Sequence, residues 1–262
     1  MPDYAKTEAV VLRTGEYSET SQIVTLWTRE CGKVRGIAKG ARRKTKSGGA
    51  GLDLLNLCDV LLVRKVPPAL SLITGWQVRS SMNGLRSDLQ SLYAGLYAAE
   101  LLDRSTDEGD PDPASFDLLV RFLRALDEGR RPYPMLLRFE ILLLERAGIA
   151  PQGAVCVSCG THGPVRRPGF TASGGGLLCG ACMGRYPDAR PVSQAAVRAL
   201  VSLSGREPPR GIKLTDREVA EIRGLLDAHL AYHLGRPLEM GRHIVIQSQT
   251  QGELSRTQET GQ

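Results

Sequence analysis

The sequence predicts an α+β protein: a small five-stranded β-barrel followed by an α-helical domain that carries a four-cysteine zinc module. Three observations lead there. The first 80 residues alternate with the two-residue period of strands. The apolar period lengthens to 3.6 from about residue 83. Inside the helical part, one Cys-x-x-Cys pair is followed by another.

Five segments read as strands: TEAVVLR (7–13), TSQIVTLWT (20–28), KVRGIAKG (33–40), CDVLLVRK (58–65) and ALSLITGWQV (69–78). They are rich in β-branched residues and separated by turn signals at Gly15 and Ser18, Cys31-Gly32, SGGAG (47–51) and Pro67-Pro68. In the last of them Leu70, Leu72, Thr74, Trp76 and Val78 share one parity, as a half-buried strand requires. Five short strands over residues 1–80 suit a closed OB-fold barrel. An SH3-like barrel satisfies the strand count equally.

Beyond residue 80 the signals are helical. Leu85, Leu89, Leu92, Tyr93, Leu96 and Leu101 form one stripe. Asp112-Pro113 supplies a cap and a first-turn proline for a helix over about 113–127, which Gly129 ends. Pro134 opens MLLRFEILLLERA, and Gly148 follows its end. SQAAVRALVSL (193–203) is a further helix, and Thr215 to Glu218 is a capping box for one that runs to about Leu234. The helical domain is thus expected over 81–247, with the cysteine module at about 153–186. Residues 248–262 lack apolar periodicity and are expected to form a disordered tail.

Composition narrows the class. An apolar share of 42% with 24% charged residues allows a real core. No apolar run approaches the 18 residues of a membrane span, and MPDYAKTEAV lacks the order of a secretory signal. A cytoplasmic protein is expected. Six cysteines in such a protein do not read as a disulfide framework. Cys31 and Cys58 stand alone, as small buried apolar residues do.

The net charge of +6 lies entirely in residues 1–80, which hold 13 Lys/Arg against 7 Asp/Glu; the remainder holds 21 of each. Residues 29–46 (RECGKVRGIAKGARRKTK) contain eight basic residues and the single acid Glu30. A short basic run is often only a solvated loop. Its coincidence with the whole charge excess points instead to a polyanionic partner.

Cys156 and Cys159, then Cys179 and Cys182, present four sulfurs as two knuckles, and glycines at 160, 163, 169 and 174–176 permit the turns between them. Zinc takes four soft tetrahedral ligands in this way. Four unrelated thiols or a redox dithiol explain two matching pairs less well. A catalytic zinc keeps a position open for water, whereas four thiolates close the shell. The pattern therefore predicts one structural Zn2+, with His162 as a surface turn residue.

Other enzymatic motifs fail on inspection. His229 and His233 are four apart on the last helix, but Leu230 stands where a zinc protease needs Glu; both read as partly exposed helix residues. GIAKGARRKT lacks the glycine that a phosphate loop places before its lysine. No G-x-S-x-G elbow occurs. The chain reads as a non-enzyme with no catalytic residue.

The basic run is left as the candidate functional surface. Lys33, Arg35 and Lys39 share a strand face, and Arg42, Arg43, Lys44 and Lys46 continue into a Gly/Ser loop. An OB barrel tracks a phosphate backbone with such a groove. Tyr4, Tyr17, Trp27 and Trp76 are the only N-terminal stacking candidates named, and part of that set must be core. Binding is expected to be electrostatic and salt-dependent.

VVLRTGEYSETSQIVTLWTRECGKVRGIAKGARR, with ERAGIAPQGAVCVSCG, GFTASGGGLLCGAC and AYHLGRPLEM, resembles the bacterial recombination mediator RecO family over roughly residues 6–240. The resemblance implies a DNA repair and recombination protein without enzymatic activity. It would bind single- and double-stranded DNA, anneal complementary strands coated by single-strand-binding protein (SSB), and act with RecR to help load RecA. By position, the family's basic DNA-contacting face falls on Lys33 to Lys46 and its zinc ligands on the four cysteines. Members often carry Lys-Ser after the Leu-Gly-Arg-Pro-Leu-like string, where this chain has Glu239-Met240; no SSB contact is assigned there. A zinc-ribbon module of the transcription or translation machinery is the alternative reading.

Overall fold

The computed structural model describes residues 3–41, 51–162, 166–204 and 213–246. Two compact units emerge, one running to Ala150 and completed by Leu230–Ile244, the other running from Pro151 to His229.

In the first unit, β1 (Asp3–Glu16), β2 (Gln22–Thr28), β3 (Gly32–Ala38), β4 (Leu57–Arg64) and β5 (Ser71–Ser80) form a closed barrel of order β1-β2-β3-β5-β4. β1 is long enough to pair with β2 on one edge and β4 on the other, and an irregularity between Val11 and Arg13 bends it round. All pairs are antiparallel except β3–β5, which run parallel over Gly36–Ala38 and Ser71–Ile73. That order and that one parallel pair are the OB arrangement, which decides against the SH3-like alternative. Ala9, Val11, Val24, Leu26, Val60, Leu62 and Ile73 fill the interior. Full burial of each larger aliphatic among them is worth about 1.5–3 kcal/mol.

The single parity expected along β5 does not hold. Trp76 and Val78 face the core as predicted, but so does Ile73 rather than Leu72. Leu61 pairs with Gly75 and Leu62 with Ile73, so Thr74 is the extra residue of a bulge that reverses the alternation.

The leucine stripe after residue 83 becomes two helices, α1 (Asn83–Ser87) and α2 (Leu89–Ser105). Asp88 separates them with an extended backbone, and its carboxylate accepts the Ser91 N–H at 2.9 Å to cap α2. Of the predicted stripe on α2, Leu101 is buried, Leu92, Tyr93 and Leu96 are half-buried and Leu89 is 60% exposed, while the buried face also takes in Ala94, Gly95, Tyr97, Ala98 and Leu102. α2 packs against the barrel, α1, α3 and α4 at once, and small side chains permit that close approach.

α3 (Pro113–Asp127) starts at the expected cap, Asp112 accepting from Ser115 N at 3.1 Å. α4 (Pro132–Arg146) begins at Pro132, which takes the first-turn position foreseen for Pro134. After the last helix, the backbone N–H groups of Glu239 and Met240 each donate to the Glu100 carboxylate at 2.8 Å. Arg104 donates to the Pro237 carbonyl at 2.8 Å. The segment that ends the family-like string is thereby tied to α2.

In the second unit, β6 (Gly169–Thr171), β7 (Gly176–Leu178) and β8 (Arg190–Pro191) make a small sheet of order β7-β6-β8. It is followed by α5 (Gln194–Leu203), capped by Ser193, and α6 (Asp216–Leu234). The capping box is present, with Thr215 N donating to Glu218 at 2.8 Å and Glu218 N to Thr215 Oγ1 at 3.2 Å. Phe170, Ala172, Leu177, Val192 and Leu225 form one core cluster, and α5 and α6 bury further residues such as Ala196, Leu200, Ile222 and Leu226. His229 belongs with it, buried with its ring edge-on to Phe170 at 6.1 Å. The expectation of partial exposure is therefore corrected for His229 and holds for His233, which is exposed. Among the described residues no helix is long and apolar enough to cross a membrane.

Candidate metal centre and nucleic-acid interface

The four cysteines expected to act together do converge. Their Sγ atoms all lie within 4.8 Å of one another. The first knuckle turns through Gly160, whose N–H returns to Cys156 O at 2.8 Å and whose φ of 71° favours glycine. The second is closed by Cys182 N donating to Cys179 O at 2.9 Å. Cys179 N then reaches across to Cys156 Sγ at 3.3 Å. A tetrahedral ion with metal–sulfur bonds of about 2.3 Å requires sulfurs about 3.8 Å apart. Cys159 and Cys179 stand 3.8 Å apart.

The thiols are poised for a cation. Burial opposes ionisation of Cys156, but amide N–H groups of Cys179, Cys159 and Ser158 outweigh it and lower its pKa. The Thr161 hydroxyl and N–H bring Cys159 down to about 6. Cys182 receives the Ser158 hydroxyl yet is pushed up to about 11, with the neighbouring thiols and burial opposing its charge. Four thiols so close cannot all ionise cheaply without a positive ion between them. The donor set can hold a metal and is consistent with zinc. In the same small sheet region, Asp188 is partly buried, which works against its charge. Hydrogen bonds from Ser173 and Thr171 prevail and hold it at about 2, tying β6 to the loop before β8.

The basic run divides into three. Arg42, Arg43, Lys44 and Lys46 lie outside the described residues. Arg35 on β3 and Lys39 in the turn just after it are exposed, with Arg35 3.7 Å from Glu108. Lys33 is a correction: although it shares their strand face, its ammonium is buried. It donates to the carbonyls of Asp103 at 2.5 Å and Thr106 at 2.6 Å, with the Asp103 carboxylate at 3.7 Å. Two of its three donors go to carbonyls, and a carboxylate stands beside the ammonium to balance its charge. A lysine there pins the end of α2 to the barrel and offers a phosphate nothing. Arg29 is similarly engaged, paired with Asp117 and lying 6.0 Å over Phe116. Of the four aromatic candidates, Trp27 is buried and Trp76 packs on the barrel core, while Tyr4 and Tyr17 are exposed.

Family comparison places these features. Residues 1–82 match the family model "Recombination protein O N terminal", and residues 86–240 match "Recombination protein O C terminal". The chain belongs to the RecO family. It is 36% identical over 234 residues to a DNA repair protein RecO of Geobacter metallireducens, covering 89% of this chain and 93% of that protein. It is 35% identical over 248 residues to one of Anaeromyxobacter dehalogenans, covering 92% and 96%. A Myxococcus xanthus relative is 33% identical over 233 residues, covering 88% and 93%. This RecO-family DNA repair protein carries two features that the sequence reading passed over. Glu100 and Arg104 anchor the Leu234–Met240 string, and nothing local to α2 marks them out. Arg64 and Lys65 stand at the end of β4 with Arg64 3.5 Å from Asp3; the run Arg-Lys-Val-Pro-Pro was the available signal.

Proposed function

We propose that this chain is a non-enzymatic DNA-binding protein of recombinational repair. It binds single- and double-stranded DNA through the barrel, residues 1–80, anneals complementary strands, and acts with RecR on SSB-coated single strands to promote RecA loading. The contacts are Arg35 and Lys39, continued by Arg42, Arg43, Lys44 and Lys46. Family membership supports the biological setting. The single observation that carries the binding surface is the pair of exposed cations Arg35, on β3, and Lys39, just beyond it, within the first 80 residues, whose charge balance equals the chain's net +6. The helical domain, 81–247, holds one structural Zn2+ on Cys156, Cys159, Cys179 and Cys182. Four thiolates complete a tetrahedron and leave no position for a reacting water, which supports a scaffolding role for the metal. The protein works in the cytoplasm, where its DNA is.

The test is fluorescence anisotropy on DNA and RNA oligonucleotides across a salt series, followed by annealing of SSB-coated complementary strands. The proposal expects affinity for both DNA forms that falls steeply with salt, and faster annealing with the protein than without it. A clear preference for RNA, with no effect on annealing, would point to the transcription or translation machinery instead.

A further inference from the structure

β3 and β5 pair only from Gly36 and Ser71 onward, so the start of β3 has no strand neighbour on that side. The connection between α2 and α3 takes the place of one. Glu108 bridges Lys33, Gly109 N donates to the Lys33 carbonyl at 2.9 Å, and Gly32 sits so tightly that a Cβ there would meet Asp110 O at 2.1 Å. Beside this filled seam a cleft of about 350 Å³ remains. That is near the lower end of the roughly 300–1,000 Å³ that holds small organic ligands.

The walls of the cleft are amphipathic. Val34 and Arg35 of β3 contribute to its lining, and so do Arg64, Lys65, Val66 and Pro67 at the end of β4 and in the loop that follows. Val66 is 84% exposed, a bulky apolar residue held in water beside three cations. Arg35 and Arg64 have side chains 47% and 42% exposed, and their carboxylate partners, Glu108 and Asp3, lie 3.7 and 3.5 Å away. Those are loose pairs at or beyond hydrogen-bond length, and a guanidinium has five N–H donors, so both can also bind an incoming anion.

We propose that this cleft seats one unstacked nucleotide of a single DNA strand, its base against Val66 and Pro67 and its phosphate between Arg35 and Arg64. The proposal rests on the DNA-binding reading above and adds to it a site that separates single strands from duplex. A flat apolar face next to paired cations matches the two halves of a nucleotide. Asp3 and Glu108 also line the cleft. Carboxylates accept N–H groups from base edges, whereas they repel the side chains of an acidic peptide, the other ligand with apolar and anionic parts. A base held in a duplex is stacked and paired and cannot enter, so the cleft contributes only to single-strand affinity.

The experiment compares wild type with Val66→Asp and Arg64→Ala on a labelled single strand and on the same sequence as duplex, at fixed salt. Val66 is so exposed that its substitution leaves the fold intact, which the melting temperature checks. Val66→Asp is expected to weaken single-strand binding about ten-fold, the size of one lost base contact, and to weaken duplex binding clearly less, through the added charge alone. Arg64→Ala should also lower the single-strand salt slope by about 0.7. A phosphate-free acidic peptide should not displace the strand. Equal losses on both DNA forms would reduce the cleft to a general electrostatic contact and overturn the proposal. Displacement by the peptide that Val66→Asp abolishes would overturn it in favour of a peptide site. Unchanged binding in both variants would overturn the cleft alone, whereas a wild type that binds neither DNA form would overturn the DNA-binding reading with it.

Discussion

The barrel and the cysteine module are both small β structures, yet they are held together by different means. The barrel closes five strands on one another and fills the inside with ten fully buried residues, so apolar burial and ladder hydrogen bonds suffice. The module has strands of two or three residues, and three buried residues gather at its cysteines, two of them cysteines themselves. A unit with so little core needs a staple. On the proposed reading charge and metal are separable here: the barrel should lose exposed cations and stay folded, while the module should depend on a metal held by its cysteines.

The largest expected effect follows directly. Structural zinc contributes on the order of 10 kcal/mol in small modules. Chelation, or Cys156→Ser, should open residues 151–192 to limited proteolysis while the barrel fragment survives. Intact resistance in the metal-free protein would show that the small core is enough alone.

Next in size is a contrast between the start of β3 and the turn that follows it. Lys33→Met should destabilise the first unit by about 1–3 kcal/mol, because the carbonyls of Asp103 and Thr106 lose their buried donor, and it should leave the salt slope of DNA binding unchanged. Lys39→Ala should do the reverse, with stability held within about 0.5 kcal/mol and the slope reduced by about 0.7. Urea melts and salt titrations of both variants distinguish the roles. If Lys33→Met lowered the slope like Lys39→Ala, the two would be equivalent phosphate contacts.

A smaller effect concerns the helices that brace the barrel. Burial raises the Asp112 pKa, but Arg146, Ser115 and the Ser115 N–H outweigh it and hold the carboxyl below its ordinary value. A depressed folded-state pKa gives stability that is present above the unfolded value, near pH 4, and lost as the pH falls through the folded one. Asp112→Ala should therefore cost about 1 kcal/mol near neutrality, and the gap from wild type should narrow below about pH 4. A gap independent of pH would mean the cap acts without its charge.

Much of this was legible in the sequence, for reasons that differ by element. The cysteine centre was readable because a metal knuckle is a local pattern of residue types. The strands and caps were readable because period, turn residues and first-turn prolines act over a few positions. Lys33 was misread because parity gives the face of a strand and not what covers it; the end of α2 lies over that one residue and leaves Arg35 and Lys39 in water. The β5 alternation failed at Thr74 because a bulge depends on the partner strand. The buried side of α2 was legible only in part, through Leu101, because a helix packed on several sides also buries small residues such as Ala94, Gly95 and Ala98 that no leucine stripe marks. His229 reads as partly exposed in the sequence because nothing near it marks the contact with Phe170.

The most direct test of the division between the two regions is the salt dependence of single-strand binding in two forms of the full-length protein. One form carries Arg42→Glu, Arg43→Glu and Lys44→Glu; the other is wild type stripped of metal. With about 0.7 per phosphate contact, the slope of log affinity against log salt should shrink by about 2 in the first and stay at the wild-type value in the second. An unchanged slope in the charge-reversed protein, with a reduced slope in the metal-free one, would move the DNA contact from the barrel to the cysteine module.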